Sequence, residues 1–103
     1  MYRIAICDDE KSTCAEIESY ILMYSKLRFI RNEIEVFYSG EAFCEYVKQG
    51  NFFDLLFLDI ELPAINGIEV GKFVRTSLGD EKMDIIYILC NAVVSKSSNG
   101  FPG

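Results

Sequence analysis

Asp8, Asp9 and Glu10 close one short apolar run, and Asp59 with Glu61 closes a second much further along the chain. Carboxylates set out this way bind a divalent cation through oxygen, or one of them attacks an electrophile while the others hold the cation beside it. Two unit charges about 5 Å apart repel by roughly 3 kcal/mol at an effective dielectric near 20, so three converging acids are costly without a cation. Mg2+, which takes oxygen ligands and keeps several waters, suits such a set. The plainer alternative is that acids after strands cap helices or solvate loops, Asp9 standing just ahead of a helix. The chain has no His, which removes imidazole acid-base catalysis, His ligation of a metal and any role as a phosphohistidine donor. Cys7, Cys14, Cys44 and Cys90 lack C-x-x-C spacing and lie in or beside apolar runs. They are expected to be reduced, buried and structural, which implies a reducing cytoplasm.

These acids need elements to position them. The 103 residues are 50% hydrophobic, enough for one core without a disulfide or structural metal. YRIAIC, residues 2–7, reads as a strand buried on both faces. An amphipathic helix follows over residues 11–28, with Cys14, Ile17, Ile21, Leu22, Met23 and Leu27 as its apolar positions. Residues 34–38 alternate as a second strand, and Ser39-Gly40 turns into a helix over 41–49 with Phe43, Tyr46 and Val47 inward. FFDLLFL, residues 52–58, runs straight into Asp59 as a central parallel strand would. Pro63 lies in a loop, Asn66-Gly67 opens a third helix through Val70, Phe73 and Val74, and DIIYILC, residues 84–90, reads as a fourth buried strand. Alternating strands and helices argue for an α/β, doubly wound parallel sheet with right-handed crossovers. Residues 91–103, rich in Ser, Gly, Asn and Pro, are expected to form an irregular tail beyond a domain covering 1–90.

In parallel sheets ligands collect outside the carboxyl ends of the strands. If the first and third strands are neighbours, Asp8, Asp9 and Asp59 converge there. Ten Lys and Arg against sixteen Asp and Glu give a net charge of −6, the wrong overall sign for nucleic-acid phosphates or anionic lipid. No membrane or direct nucleic-acid partner is therefore expected, and no apolar stretch reaches spanning length.

IAICDDE at residues 4–10 followed by LLFLDIELPAINGIEV at 55–70 resembles the receiver domain of bacterial two-component response regulators, and the wording of the second segment is similar to receivers that precede LytTR-type DNA-binding domains. The resemblance implies a flavodoxin-like fold in which Asp59 is the phosphoacceptor. It implies Mg2+, replaceable by Mn2+, held by Asp8, Asp9, Asp59 and the backbone carbonyl of Glu61. It further implies a sensor histidine kinase as phosphoryl donor and an output DNA-binding domain, which this chain does not contain. A module of this kind is a switch and not an enzyme. Pro63 would fix the loop that aims the Glu61 carbonyl, and Gly67 would let the third helix start close to the strand.

Departures from the family pattern are equally specific. Where the fourth strand ends, the family has a hydroxyl residue; this chain has Leu89 and then Cys90. The family's fifth strand, its Lys and the last helix have no counterpart in residues 91–103, where Lys96 is a lone base. Such an end is what a truncated or frame-shifted reading gives. One alternative is thus a receiver-like interaction module that no longer switches. A haloacid-dehalogenase-like phosphatase is a weaker one: Asp59-Ile60-Glu61 only approximates Asp-x-Asp and follows the wrong strand. A flavin-binding module is disfavoured, since acids replace the phosphate loop after the first strand. Without a fifth strand, the fourth is expected to be an apolar, unpaired edge through which two copies associate.

Overall fold

The computed structural model describes residues 1–89 and, as backbone, one further strand at Ala92–Ser95. Strands β1 (Tyr2–Cys7), β2 (Asn32–Phe37), β3 (Leu55–Asp59) and β4 (Asp84–Leu89) form a parallel sheet, and β5 (Ala92–Ser95) adds to it antiparallel, in the order β2-β1-β3-β4-β5. Helices α1 (Lys11–Arg28), α2 (Gly40–Lys48) and α3 (Gly67–Lys72, prolonged by a π-helical turn at Phe73–Ser77) make the crossovers. The doubly wound, flavodoxin-like arrangement expected from the sequence is present.

Period-two alternation within the buried strands separates the two faces. Ala5, Cys7, Leu56, Leu58 and Ile85 turn towards α2 and α3, whose Phe43, Val47, Val70 and Val74 complete the main core. Phe37, Phe43, Tyr46 and Phe53 stack there, the Phe37 and Phe43 rings edge to face at 5.4 Å. Ile4, Leu55 and Phe57 face the other way, under α1, where an apolar groove stays open between the helix and the sheet. Cys7, Cys14 and Cys44 are free and buried, as expected; Cys90 lies outside the described residues.

Several expectations are corrected. Phe52 and Phe53 precede β3: Phe53 is drawn into the aromatic core, and Asp54 turns back to accept the Arg3 amide at 2.8 Å. Tyr38 lies beyond β2 and is exposed, whereas Phe37 is its buried residue. Leu22, Met23 and Leu27 of α1 are exposed at 52%, 55% and 73%, because the helix turns Cys14, Ile17, Ile21 and Ser25 inward instead. The fourth strand is not an unpaired edge either. Ile86, Tyr87, Ile88 and Leu89 pair with β5, which falls inside the segment expected to be irregular; the rest of the tail, including Lys96, lies outside the described residues.

Candidate functional site

Pairing of β1 with β3 aligns Cys7 with Leu58, so the residues that follow, Asp8 and Asp59, leave the sheet side by side. One oxygen from each of Asp8, Asp9 and Asp59 lies within 4.8 Å of the others. The convergence anticipated from strand adjacency is therefore real. The carboxylates open into a shallow cavity of about 300 Å³, lined also by Glu10, Thr13, Glu61 and Ile88.

Each acid is held differently. Asp8 is only 3% exposed, and its Oδ1 accepts the Glu10 amide at 2.8 Å. Asp59 is half-buried, and its Oδ1 accepts the Glu61 amide at 3.0 Å, a bond that fixes the start of the β3–α3 loop. Asp9 is exposed at the rim. Burial, reinforced by the charges of Asp59, Asp9 and Glu10 and partly offset by the Glu10 amide, pushes the Asp8 carboxyl up to about 6. Burial also raises Asp59; the Glu61 amide opposes this, and Asp9 and Glu61 add to it. Among the described residues the ion pairs are Arg3 with Glu33 and Lys48 with Glu45, neither of which touches the cluster. A dense group of oxygens with no basic partner, whose charge the fold resists, suits a hard divalent cation.

The loop after β3 is built to tight tolerance. A Cβ on Gly67 would stand 2.2 Å from the Asp59 carbonyl oxygen and 2.7 Å from Ile60 Cα, so only glycine lets α3 begin against the end of the strand. The Gly67 amide donates to the Ile60 carbonyl, and Asn66 caps α3 reciprocally with Glu69. Pro63 and exposed Glu61 lie in this loop as expected. Leu89, at the position where the resemblance places a hydroxyl, is 41% exposed. Ile88, paired with Asp59, lines the cavity instead. Sequence reasoning missed Thr13 and Ile88 as cavity residues. Thr13 faces the site only because α1 starts at Lys11, and Ile88 reads in sequence as one more core residue.

A strand order of β2-β1-β3-β4 with an acidic cluster at the carboxyl ends defines a doubly wound α/β module whose ligand end is made of carboxylates. The family model described as the response regulator receiver domain matches residues 4–97, and the chain belongs to that family. Among solved structures it is similar to the response regulator protein TrrA from Thermotoga maritima in complex with Mg2+-BeF, with 31% identity, a TM-score of 0.65 and coverage of 86% of this chain and 68% of that one. The chemotaxis protein CheY4 of Vibrio cholerae shares the fold at 23% identity and a TM-score of 0.67, over 85% of this chain and 68% of that one. A curated relative, stress response regulator protein 1 of Candida tropicalis, is 31% identical over 87 residues, which are 84% of this chain and 31% of the relative. The chain thus spans under a third of that relative's length.

Proposed function

We propose that this receiver domain is a phosphoacceptor: Asp59 takes a phosphoryl group from the phosphohistidine of a sensor histidine kinase in a Mg2+-dependent reaction, inside the cytoplasm. The observation that supports this most is the convergence of Asp8, Asp9 and Asp59 within 4.8 Å, without a basic partner among the described residues. An Asp59 carboxylate oxygen forms the new bond to phosphorus while the phosphorus–nitrogen bond to imidazole breaks, its electron pair staying on the ring nitrogen. The product is an acyl phosphate. Asp8, Asp9, Asp59 and the Glu61 carbonyl would hold the cation, which when bound offsets the charge of both carboxylate and phosphoryl oxygens. The Mg2+-BeF complex of the Thermotoga maritima relative supports the choice of ion. Asp8 and Asp9 would anchor it, and Asp59 would both ligate it and react. The hydrogen bond that the Glu61 amide donates to Asp59 Oδ1 aims the nucleophile and holds the loop that carries the fourth oxygen.

Intact-mass spectrometry after incubation with acetyl phosphate and Mg2+ tests the reading. A single added phosphoryl group is expected, absent when the metal is chelated beforehand and absent from Asp59→Asn; an unphosphorylated chain, or an adduct that survives in Asp59→Asn, overturns it. The second reading, an interaction module that keeps the fold without switching, is favoured by one observation. The fourth strand brings Ile88 and Leu89, not a hydroxyl, to the end beside Asp59. A phosphoryl oxygen lacks a donor there, so the reaction is expected to be slow.

A further inference from the structure

The last turns of α1, from Tyr20 onward, carry apolar side chains on the outward side, where a solvated helix face is polar. Cys14 and Ser25 are its buried residues; at about 100° per residue, Met23 points half a turn away from them, with Tyr20 about 60° and Leu27 about 40° round from it on the same side of the stripe, Tyr20 reaching the rim of the groove between α1 and the sheet. These three are 55%, 60% and 73% exposed. The stripe runs into the turn between α1 and β2, where Phe29 is 94% exposed and Ile30 44%. This corner is fixed: the Ile30 amide donates to the Ser25 carbonyl, the Tyr2 amide to the Arg31 carbonyl, and the Asn32 side-chain amide to the Ser25 hydroxyl. Phe29 sits there in the left-handed region at φ 56, a position that normally selects glycine.

The charge of this corner opposes that of the chain. Residues 19–32 contain Lys26, Arg28 and Arg31 and no acid, so +3 here against −6 overall leaves −9 for the rest. All three cations are exposed, and Arg28 lies 5.3 Å over the Tyr24 ring. The acidic cluster stands at the opposite ends of the strands, roughly 20 Å away along six residues of β1, beyond a Debye length of about 8 Å. The net charge, which argues against anionic lipid, therefore averages over a corner to which it does not apply.

We propose that the outer face of α1 and the α1–β2 corner dock on an anionic lipid bilayer, with Leu27, Phe29 and Met23 entering the interface and Lys26, Arg28 and Arg31 meeting the headgroups. Two features select this occupant. A second copy using the same patch would set +3 against +3, and Phe29, 94% exposed and outside the groove that Tyr20 and Ile30 line, suits a deformable apolar phase better than a preformed pocket.

The chain contains no Trp, so Phe29→Trp supplies a single reporter and Tyr38→Trp, at the carboxyl end of β2, a control. Full-length protein is mixed with phosphatidylcholine vesicles and with vesicles containing roughly a third phosphatidylglycerol, at roughly 0.1 and 0.5 M salt. For Phe29→Trp, co-flotation and a blue shift of the indole emission are expected with the anionic vesicles alone, weakening about tenfold at the higher salt; Tyr38→Trp should float without a shift. Lys26→Glu with Arg28→Glu should lower partitioning by at least about tenfold, as should Leu27→Ser with Phe29→Ser, while circular dichroism stays unchanged. Equal binding to both vesicle types, no flotation, or wild-type binding by either double variant overturns the proposal. A concentration-dependent blue shift of Phe29→Trp without lipid also overturns it, in favour of an interface between copies.

Discussion

The two ends of this sheet solve opposite problems. At the carboxyl ends of β1 and β3 the fold concentrates like charge and buries part of it, holding Asp8 at 3% exposure under two neighbouring carboxylates. At the far end of α1 it does the reverse, leaving Phe29 and Leu27 at 94% and 73% exposure among cations. One end is strained electrostatically and tightly packed at Gly67; the other is sterically open and wastes apolar surface. Neither arrangement minimises the free energy of the isolated chain, and a ligand of the appropriate kind relieves each: a cation at the first, an apolar anionic surface at the second. Unfavourable features thus point to different ligands according to whether the cost is charge or exposure.

The most complete separation of the two ends is chemical. Asp59→Asn should abolish the phosphoryl adduct, whereas Phe29→Ser should leave its yield as in the parent chain, both read by intact mass. Loss of the adduct in Phe29→Ser would mean that the corner and the acidic end are coupled. Next in size is a steric break. Gly67→Ala forces a methyl to within 2.2 Å of the Asp59 carbonyl, with backbone on the other side, and should cost about 3 kcal/mol in chemical denaturation as the loop is pushed off the strand. A cost within about 0.5 kcal/mol would show that the carboxyl end is not closely packed at Gly67.

The unequal legibility of these ends has a physical cause. YRIAIC followed by two acids, and an apolar β3 ending in Asp59, carry charge discontinuities of the kind that strand ends at a ligand site produce, and the resemblance implied their adjacency. The bounds of β1 and α1 were readable to the residue, since full burial and helical spacing both mark them. The outward face of α1 was not. A helix with Ile21, Leu22, Met23 and Leu27 offers more apolar residues than one sheet face can cover, and spacing does not say which are left over. Phe52 and Phe53 were read into β3 because an apolar run does not show where hydrogen bonding to β1 begins; the Asp54–Arg3 contact sets that point. β5 escaped notice because Val93-Val94 is too short to alternate; its four residues are recognisable as a strand only through their pairing with β4.

The electrostatic cost at the acidic end can be read by titration. The folded-state pKa of Asp8, about 6, lies above its ordinary 3.8, so the native chain holds this proton more tightly than the unfolded one. Without metal, the contribution of Asp8 is best below pH 3.8 and is lost as pH rises through 6, amounting to about 3 kcal/mol of stability. Asp8→Asn keeps an oxygen for the Glu10 amide and carries no charge. It should therefore be more stable than the parent at about pH 7 without metal, by about that amount, with a flatter pH profile and a smaller stabilisation by Mg2+. Thermal unfolding at about pH 4 and about pH 7, with and without the ion, measures all three, and a parent chain whose stability rises between those pH values refutes the assignment.

At the corner the change in stability is slighter still, and there stability and binding should move in opposite directions. Phe29 occupies the residue after α1 with its amide directed to Lys26 and that of Ile30 to Ser25, an arrangement closed by a left-handed residue. A side chain in that conformation costs roughly 1–2 kcal/mol relative to glycine, and at 94% exposure the ring recovers little of it through packing. Glycine gives part of the gain back through the greater entropy of the unfolded chain. Phe29→Gly should thus raise stability by about 1 kcal/mol or slightly less in denaturant titration. The same substitution should sharply weaken flotation with anionic vesicles, because it removes the most exposed apolar group of the patch while keeping all three cations. If it destabilises the chain, Phe29 packs against something in solution and the corner is not open. If it stabilises the chain and leaves vesicle binding intact, the ring does not enter the bilayer, and the cations alone would have to account for the attraction.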